Sequence, residues 1–130
     1  MQVAVVCVAL MALLLAGLGI GVSMARGKYA KGIGAPDDPT HPMLKIVRAH
    51  GNAAEWIPIL AVMMLWLGTR EPAAWVIWTM TLVTACRFAH AAGMVTCRTL
   101  AGPHPLRFVG SAGTYLGAIA LAAAMLAELA

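Results

Sequence analysis

Charge is scarce in this sequence. Only 11% of its 130 residues are Asp, Glu, Lys or Arg, against about 25% in an ordinary soluble domain. With 62% hydrophobic residues, the chain has more apolar surface than a soluble fold of this size can hide. The surplus must face lipid or another subunit. Cysteine is equally sparse: Cys7, Cys86 and Cys97 are an odd, widely spaced set, which fits neither a disulfide framework nor a zinc pattern and reads as small apolar residues. The start of the chain lacks a basic segment ahead of its apolar run, and that run is too long for a signal-peptide core. Met1 to Ala25 therefore reads as a retained helix. The histidines are scattered and no close group of Cys, His, Asp and Glu recurs, so no metal site is expected.

What is present is a set of long apolar runs. Spanning a bilayer takes about 20 predominantly apolar residues in a helix. Four stretches qualify, at about 2–25, about 43–67, about 73–96 and about 108–128. The expected fold is all-α: one membrane domain of four helices in up-down order, with no internal repeat. Breakers divide the spans. The first link carries Gly32, Gly34, Pro36, Asp37, Asp38 and Pro39; the second is Gly68 to Pro72; the third runs from Arg98 through Pro103 and Pro105 to Arg107. Thr40 is the expected N-cap of the second helix, with Pro42 at an early helical position where its missing N–H does no harm.

Lysine and arginine set the expected orientation. Arg26, Lys28, Lys31, Lys45 and Arg48 flank the first link and Arg98 and Arg107 the third, while the second has Arg70 alone. The positive-inside rule then places the first and third links in the cytoplasm and both termini on the far side, in a bacterial inner membrane the periplasm. The net charge of +4 reflects that bias. Charges that only flank spans leave no basic face for nucleic acid.

The second helix interrupts its apolar run with Arg48, Asn52 and Glu55, at i, i+4 and i+7 and so on one stripe, one turn beyond Lys45. An unpaired ionised group in hydrocarbon costs several kcal/mol, so such residues face a bundle interior or a cavity. The third helix carries Arg87 and His90 at i and i+3, with Met94 a turn later, in the half nearest the third link. Two helices thus bring ionisable groups to a similar depth. One reading is structural: a buried Arg48–Glu55 or Arg87–Glu55 ion pair, with Asn52 bridging helices. The other is a polar cleft for a small amphoteric ligand. In it arginines meet carboxylates, a glutamate meets an ammonium group, and an asparagine amide meets a peptide bond. His50 and His104 read as interfacial residues. A transporter would need a polar path through the membrane, and the apolar outer halves of the spans speak against one.

The run Arg48-Ala-His-Gly-Asn52-Ala-Ala-Glu55-Trp56-Ile-Pro58 resembles the second-helix signature of the MAPEG family, the membrane-associated proteins of eicosanoid and glutathione metabolism. The four spans, the basic first link and the step from Arg87 to His90 are similar too, most of all to the short bacterial branch. The resemblance implies a homotrimer that binds glutathione as co-substrate in clefts between subunits. There Arg48 and Asn52 would hold its backbone and carboxylates, and Glu55 its amino group. Arg26 would grip a terminal carboxylate, while Trp56 stands where tyrosine is familiar and Arg87 and His90 line the cleft. It also implies a transferase or peroxidase in which an arginine activates the glutathione thiolate against lipophilic electrophiles or lipid hydroperoxides from the bilayer. Arg107 is the best match for that arginine and Arg98 the second. Met94 stands where the catalytic branches carry a tyrosine, and some members of the family only bind glutathione or lipid.

Overall fold

The apolar runs fold as four helices in a computed structural model that describes residues 1–128. They are α1 (Gln2–Lys28), α2 (Pro42–Gly68), α3 (Ala74–Thr96) and α4 (Pro105–Ala127), with no strand among the described residues. At about 1.5 Å per residue the two shorter helices are about 35 Å long, enough for a hydrocarbon core of about 30 Å. By length and composition, α1, α2 and α4 each qualify as a membrane span. Helix α3 is long enough, but four threonines, Arg87 and His90 dilute its apolar character. Its ionisable groups are directed inward: Arg87 and His90 are buried, as is Thr84, while Thr81 and Thr96 are exposed.

Helices α1 and α2 pack against each other, and α3 against α4, while α2 and α3 also touch across the middle. Helices α1 and α4 make no contact among the described residues, so they occupy opposite corners. A backbone hydrogen bond from Leu100 N to Pro39 O, 2.9 Å, joins the first and third links and places both at one end of the bundle.

The α3–α4 contact is built on missing side chains. A Cβ on Gly110 would lie 2.6 Å from His90 N and 2.7 Å from Cys86 O, and one on Gly93 would lie 2.9 Å from Arg107 N. Gly113 and Gly117 are closed in the same way by Cys86 and Val83. Between hydrocarbon-facing helices, where water drives no association, close backbone approach and dispersion do the work, and small residues permit it. Helix α1 contributes a single stripe of Ala4, Cys7, Met11 and Leu18 to the core. Val5, Val6, Leu13, Ile20 and Met24 on its other faces are exposed, as a lipid-facing helix requires.

Three boundaries differ from expectation. Helix α1 runs on past Ala25 to Lys28. It closes by hydrogen bonds from Lys31 N to Arg26 O and from Ala30 N to Gly27 O, with Ala30 in the left-handed region at φ 48°, a position usually given to glycine. Helix α4 begins at Pro105, whose missing N–H suits a first turn, so Arg107 lies inside the helix and not before it. The N-cap of α2 is His41, not Thr40: His41 Nδ1 accepts from Met43 N at 3.1 Å. Thr40 is held instead by Asp38, which accepts from its amide at 2.8 Å and its hydroxyl at 2.7 Å.

Candidate functional site

Arg48, Asn52 and Glu55 come from three successive turns of α2, and their stripe faces the buried end of α3 and the first turn of α4. A cavity of about 370 Å³ opens there, lined by Arg48, Asn52 and Glu55 from α2, His90 and Met94 from α3, and Arg107 from α4. That volume lies in the lower range of small-molecule sites. Five of the nine residues singled out in the sequence thus line one cavity. A larger cavity of about 640 Å³ between α1 and α3 is lined by Val3, Val6, Leu10, Thr84 and Phe88. It offers apolar surface and no charge.

Beneath the polar cavity lies Arg87, 1% exposed. Its Nη2 donates to Asn52 Oδ1 at 2.7 Å, a link between α2 and α3. Guanidinium has only donors, so the atom it meets must be the amide oxygen, and the NH₂ of Asn52 remains to donate elsewhere. This revises the expectation that Arg87 lines the cleft: it sits behind Asn52 and orients it. The second nitrogen type of Arg87, Nε, is buried without a partner.

His90 is fixed from the other side. Its Nδ1 lies 3.0 Å from the carbonyl oxygen of Arg107. A carbonyl only accepts, so Nδ1 carries the hydrogen, and in the neutral ring Nε2 keeps its lone pair. The contact is possible because Gly110 lets α4 approach His90 to within backbone distance. Arg107 spans the third link, where its Nη1 donates to Leu100 O at 3.2 Å and Gly102 O at 3.1 Å.

The buried ion pair of the structural reading is not formed. Arg48 and Glu55 are both exposed on the single chain, and the buried guanidinium of Arg87 has an amide as its partner. The other candidates lie outside the cavity. Arg26 turns its Nη1 to the carbonyl of Gly32 at 2.7 Å, because the first link folds back over the end of α1. Arg98 is exposed on the third link. Trp56 packs its ring against Tyr115 of α4, with centroids 5.0 Å apart. His50 lies against Gly19 of α1.

The sequence reading missed a second cavity. About 290 Å³ in volume, it is lined by His90, His104, Arg107, Phe108, Ser111 and Tyr115. Arg107, Ser111 and Tyr115 recur at i, i+4 and i+8 on α4, a spacing that could have flagged them as neighbours on one face. His90 and Arg107 line both cavities and form the wall between them.

Comparison with known proteins adds the family. The model of the MAPEG family matches residues 3–127. The chain belongs to this family, which includes glutathione transferases and peroxidases as well as members without catalytic activity. No curated protein and no solved structure matches it.

Proposed function

We propose that this chain is a glutathione-dependent membrane transferase or peroxidase that acts on lipophilic electrophiles or lipid hydroperoxides. The observation that carries the reading is the single cavity lined by Arg48, Asn52, Glu55, His90 and Arg107. Glutathione is amphoteric, with two carboxylates, one ammonium group and two peptide bonds. Arg48 supplies a cation for a carboxylate, Glu55 an anion for the ammonium group, and the Asn52 NH₂ a donor for a peptide carbonyl. Arg107 lines the same cavity, and a guanidinium beside the bound sulfur would favour thiolate over thiol. The thiolate attacks a substrate delivered by the bilayer.

The proposal includes a homotrimer, which the exposure of two of these residues supports. Arg48 and Glu55 lie within a spanning helix and are exposed on the single chain. Leaving them to lipid costs several kcal/mol, which a covering subunit and a bound polar ligand remove. Arg26 would join the site across such an interface. The proposed setting is the bacterial inner membrane, with the basic first and third links cytoplasmic and both termini periplasmic.

A second reading has one observation in its favour. Arg107 already serves the carbonyls of Leu100 and Gly102, a purely structural use. A non-catalytic protein that binds glutathione or lipid would need no more of it. Titration of the detergent-purified protein with glutathione, followed by ultraviolet difference absorbance of the thiolate, separates the two. The enzyme gives a saturable thiolate signal at neutral pH; binding without that signal assigns the chain to the binders. No binding up to millimolar glutathione rejects both glutathione readings.

A further inference from the structure

The cavity at the start of α4 has a composition that the glutathione reading leaves unused. His104, Arg107 and Tyr115 keep groups able to donate a hydrogen bond into it, and it holds no carboxylate. Ser111 gives its hydroxyl hydrogen to Phe108 O at 3.0 Å, and His90 its Nδ1 hydrogen to Arg107 O. His104 Nδ1 is buried without a partner. Tyr115 is positioned through its ring, which rests on Trp56. A space with donors and without anions suits an oxygen that carries, or acquires, negative charge.

Its setting points to where such an oxygen comes from. Phe108 lines the cavity and is 74% exposed, and on the same side of α4 Tyr115 is 47% and Ile119 66% exposed. The cavity therefore opens at the head of an apolar face that is exposed on the single chain. An amphiphile lying along that face would have its oxygen function in the cavity, beside the His90 and Arg107 side chains that also line the proposed glutathione site.

We propose that this second cavity binds the oxygen function of a membrane-borne electrophile, and that Tyr115 is the acid that protonates this oxygen. The proposal rests on the glutathione reading above. With a conjugated lipid aldehyde, the thiolate lone pair forms the C–S bond at the β-carbon. The C=C electrons move onto the carbonyl oxygen, and that oxygen takes the phenol proton. With a hydroperoxide, sulfur bonds to the distal oxygen and the O–O bond breaks. The departing alkoxide takes the phenol proton, leaving a sulfenic acid that a second glutathione converts to disulfide and water. In both cases the phenolate recovers a proton from water, which balances the one lost when the thiol ionised.

The test compares Tyr115→Phe with the parent protein in nanodiscs at saturating glutathione, using three substrates: trans-2-nonenal, a lipid hydroperoxide and an alkyl iodide, which has no oxygen. The variant keeps the ring on Trp56, and its thiolate absorbance certifies an intact glutathione site. The expected result is a loss on the order of 100-fold in kcat/KM for the aldehyde, the hydroperoxide or both, with the iodide within about twofold. Whichever oxygen substrate loses activity identifies the source. His104→Gln should show a smaller loss of the same selectivity. Equal losses on all three substrates, no loss on either oxygen substrate, or a parent that forms thiolate and turns over none of them overturns the proposal. A parent that forms no thiolate fails earlier, at the activation of glutathione.

Discussion

The Arg87 guanidinium and the Asn52 side-chain oxygen, 35 residues apart in sequence, meet at 2.7 Å and join α3 to α2 directly behind the polar cavity. Because the arginine is 1% exposed, this bond is a buried positive charge resting on a neutral amide. Its removal leaves the charge with nothing.

Asn52→Leu should therefore destabilise the bundle by about 1.5–3 kcal/mol, the range for a hydrogen bond to a charged group. Pairing it with Arg87→Met should restore part of the loss, because no buried charge is then left unmet. A double-mutant cycle by equilibrium unfolding in mixed micelles measures the coupling. Additive losses would show that the two side chains act independently.

Glu55→Gln should weaken glutathione binding by about 10-fold or more, the equivalent of one charge-assisted hydrogen bond. Glu55 is exposed on the single chain, so its unfolding midpoint should barely move. Isothermal titration beside a thermal melt distinguishes the two effects. Affinity left intact would remove Glu55 from the ammonium group.

At Gly110 a single methyl group is decisive. Gly110→Ala meets the His90 and Cys86 backbones inside 3 Å, and backbone cannot step aside as a flexible side chain can. The expected penalty is about 1–3 kcal/mol, together with a loosened His90 to Arg107 bond. Gly27→Ala, where nothing lies within 4 Å, should leave stability unchanged or slightly raised. Thermal melts of the two variants in the same detergent make the comparison.

The turn before α2 should respond to acid. Hydrogen bonds from the Thr40 amide and hydroxyl hold the Asp38 carboxyl below its ordinary value of 3.8. A carboxyl depressed on folding contributes its stability above the unfolded value and loses it as pH falls through the folded one. The turn should therefore hold at neutral pH and weaken below about pH 4. In Asp38→Asn that part of the acid dependence should vanish. Carboxyl chemical shifts of Asp38 across the titration, set beside melts of both proteins, report it.

The helices were legible because four apolar runs divided by Gly and Pro leave few alternatives in a membrane. The stripe of Arg48, Asn52 and Glu55 was legible for the same reason: polar residues at helical spacing in an apolar background share a face. What sequence spacing could not resolve was depth within a face. Arg87 and His90 are one turn apart, yet one is sealed behind Asn52 and the other borders two cavities, because α4 approaches α3 over a row of glycines. Arg26 lies outside the cavity of the single chain because its partners there are backbone carbonyls of the first link, and carbonyls carry no signature in sequence. The cap of α2 moved from Thr40 to His41 because Asp38 had already claimed the threonine. Tyr115 went unnoticed as a cavity residue: eight positions from Arg107 in a clean apolar span, it gave no sign that α4 turns that edge toward His90.

Helix α1 packs most closely on α2 and α3 on α4, and α1 makes no contact with α4 among the described residues. The molecule thus consists of two helix pairs, or leaves, joined through α1–α3, α2–α3 and α2–α4 contacts. Arg48 and Glu55 stand on one leaf, His90 and Arg107 on the other, and the polar cavity is the gap between them. The site is thus a seam between two helix pairs, tied across by the Arg87–Asn52 hydrogen bond, with His90 and Arg107 set side by side by Gly110.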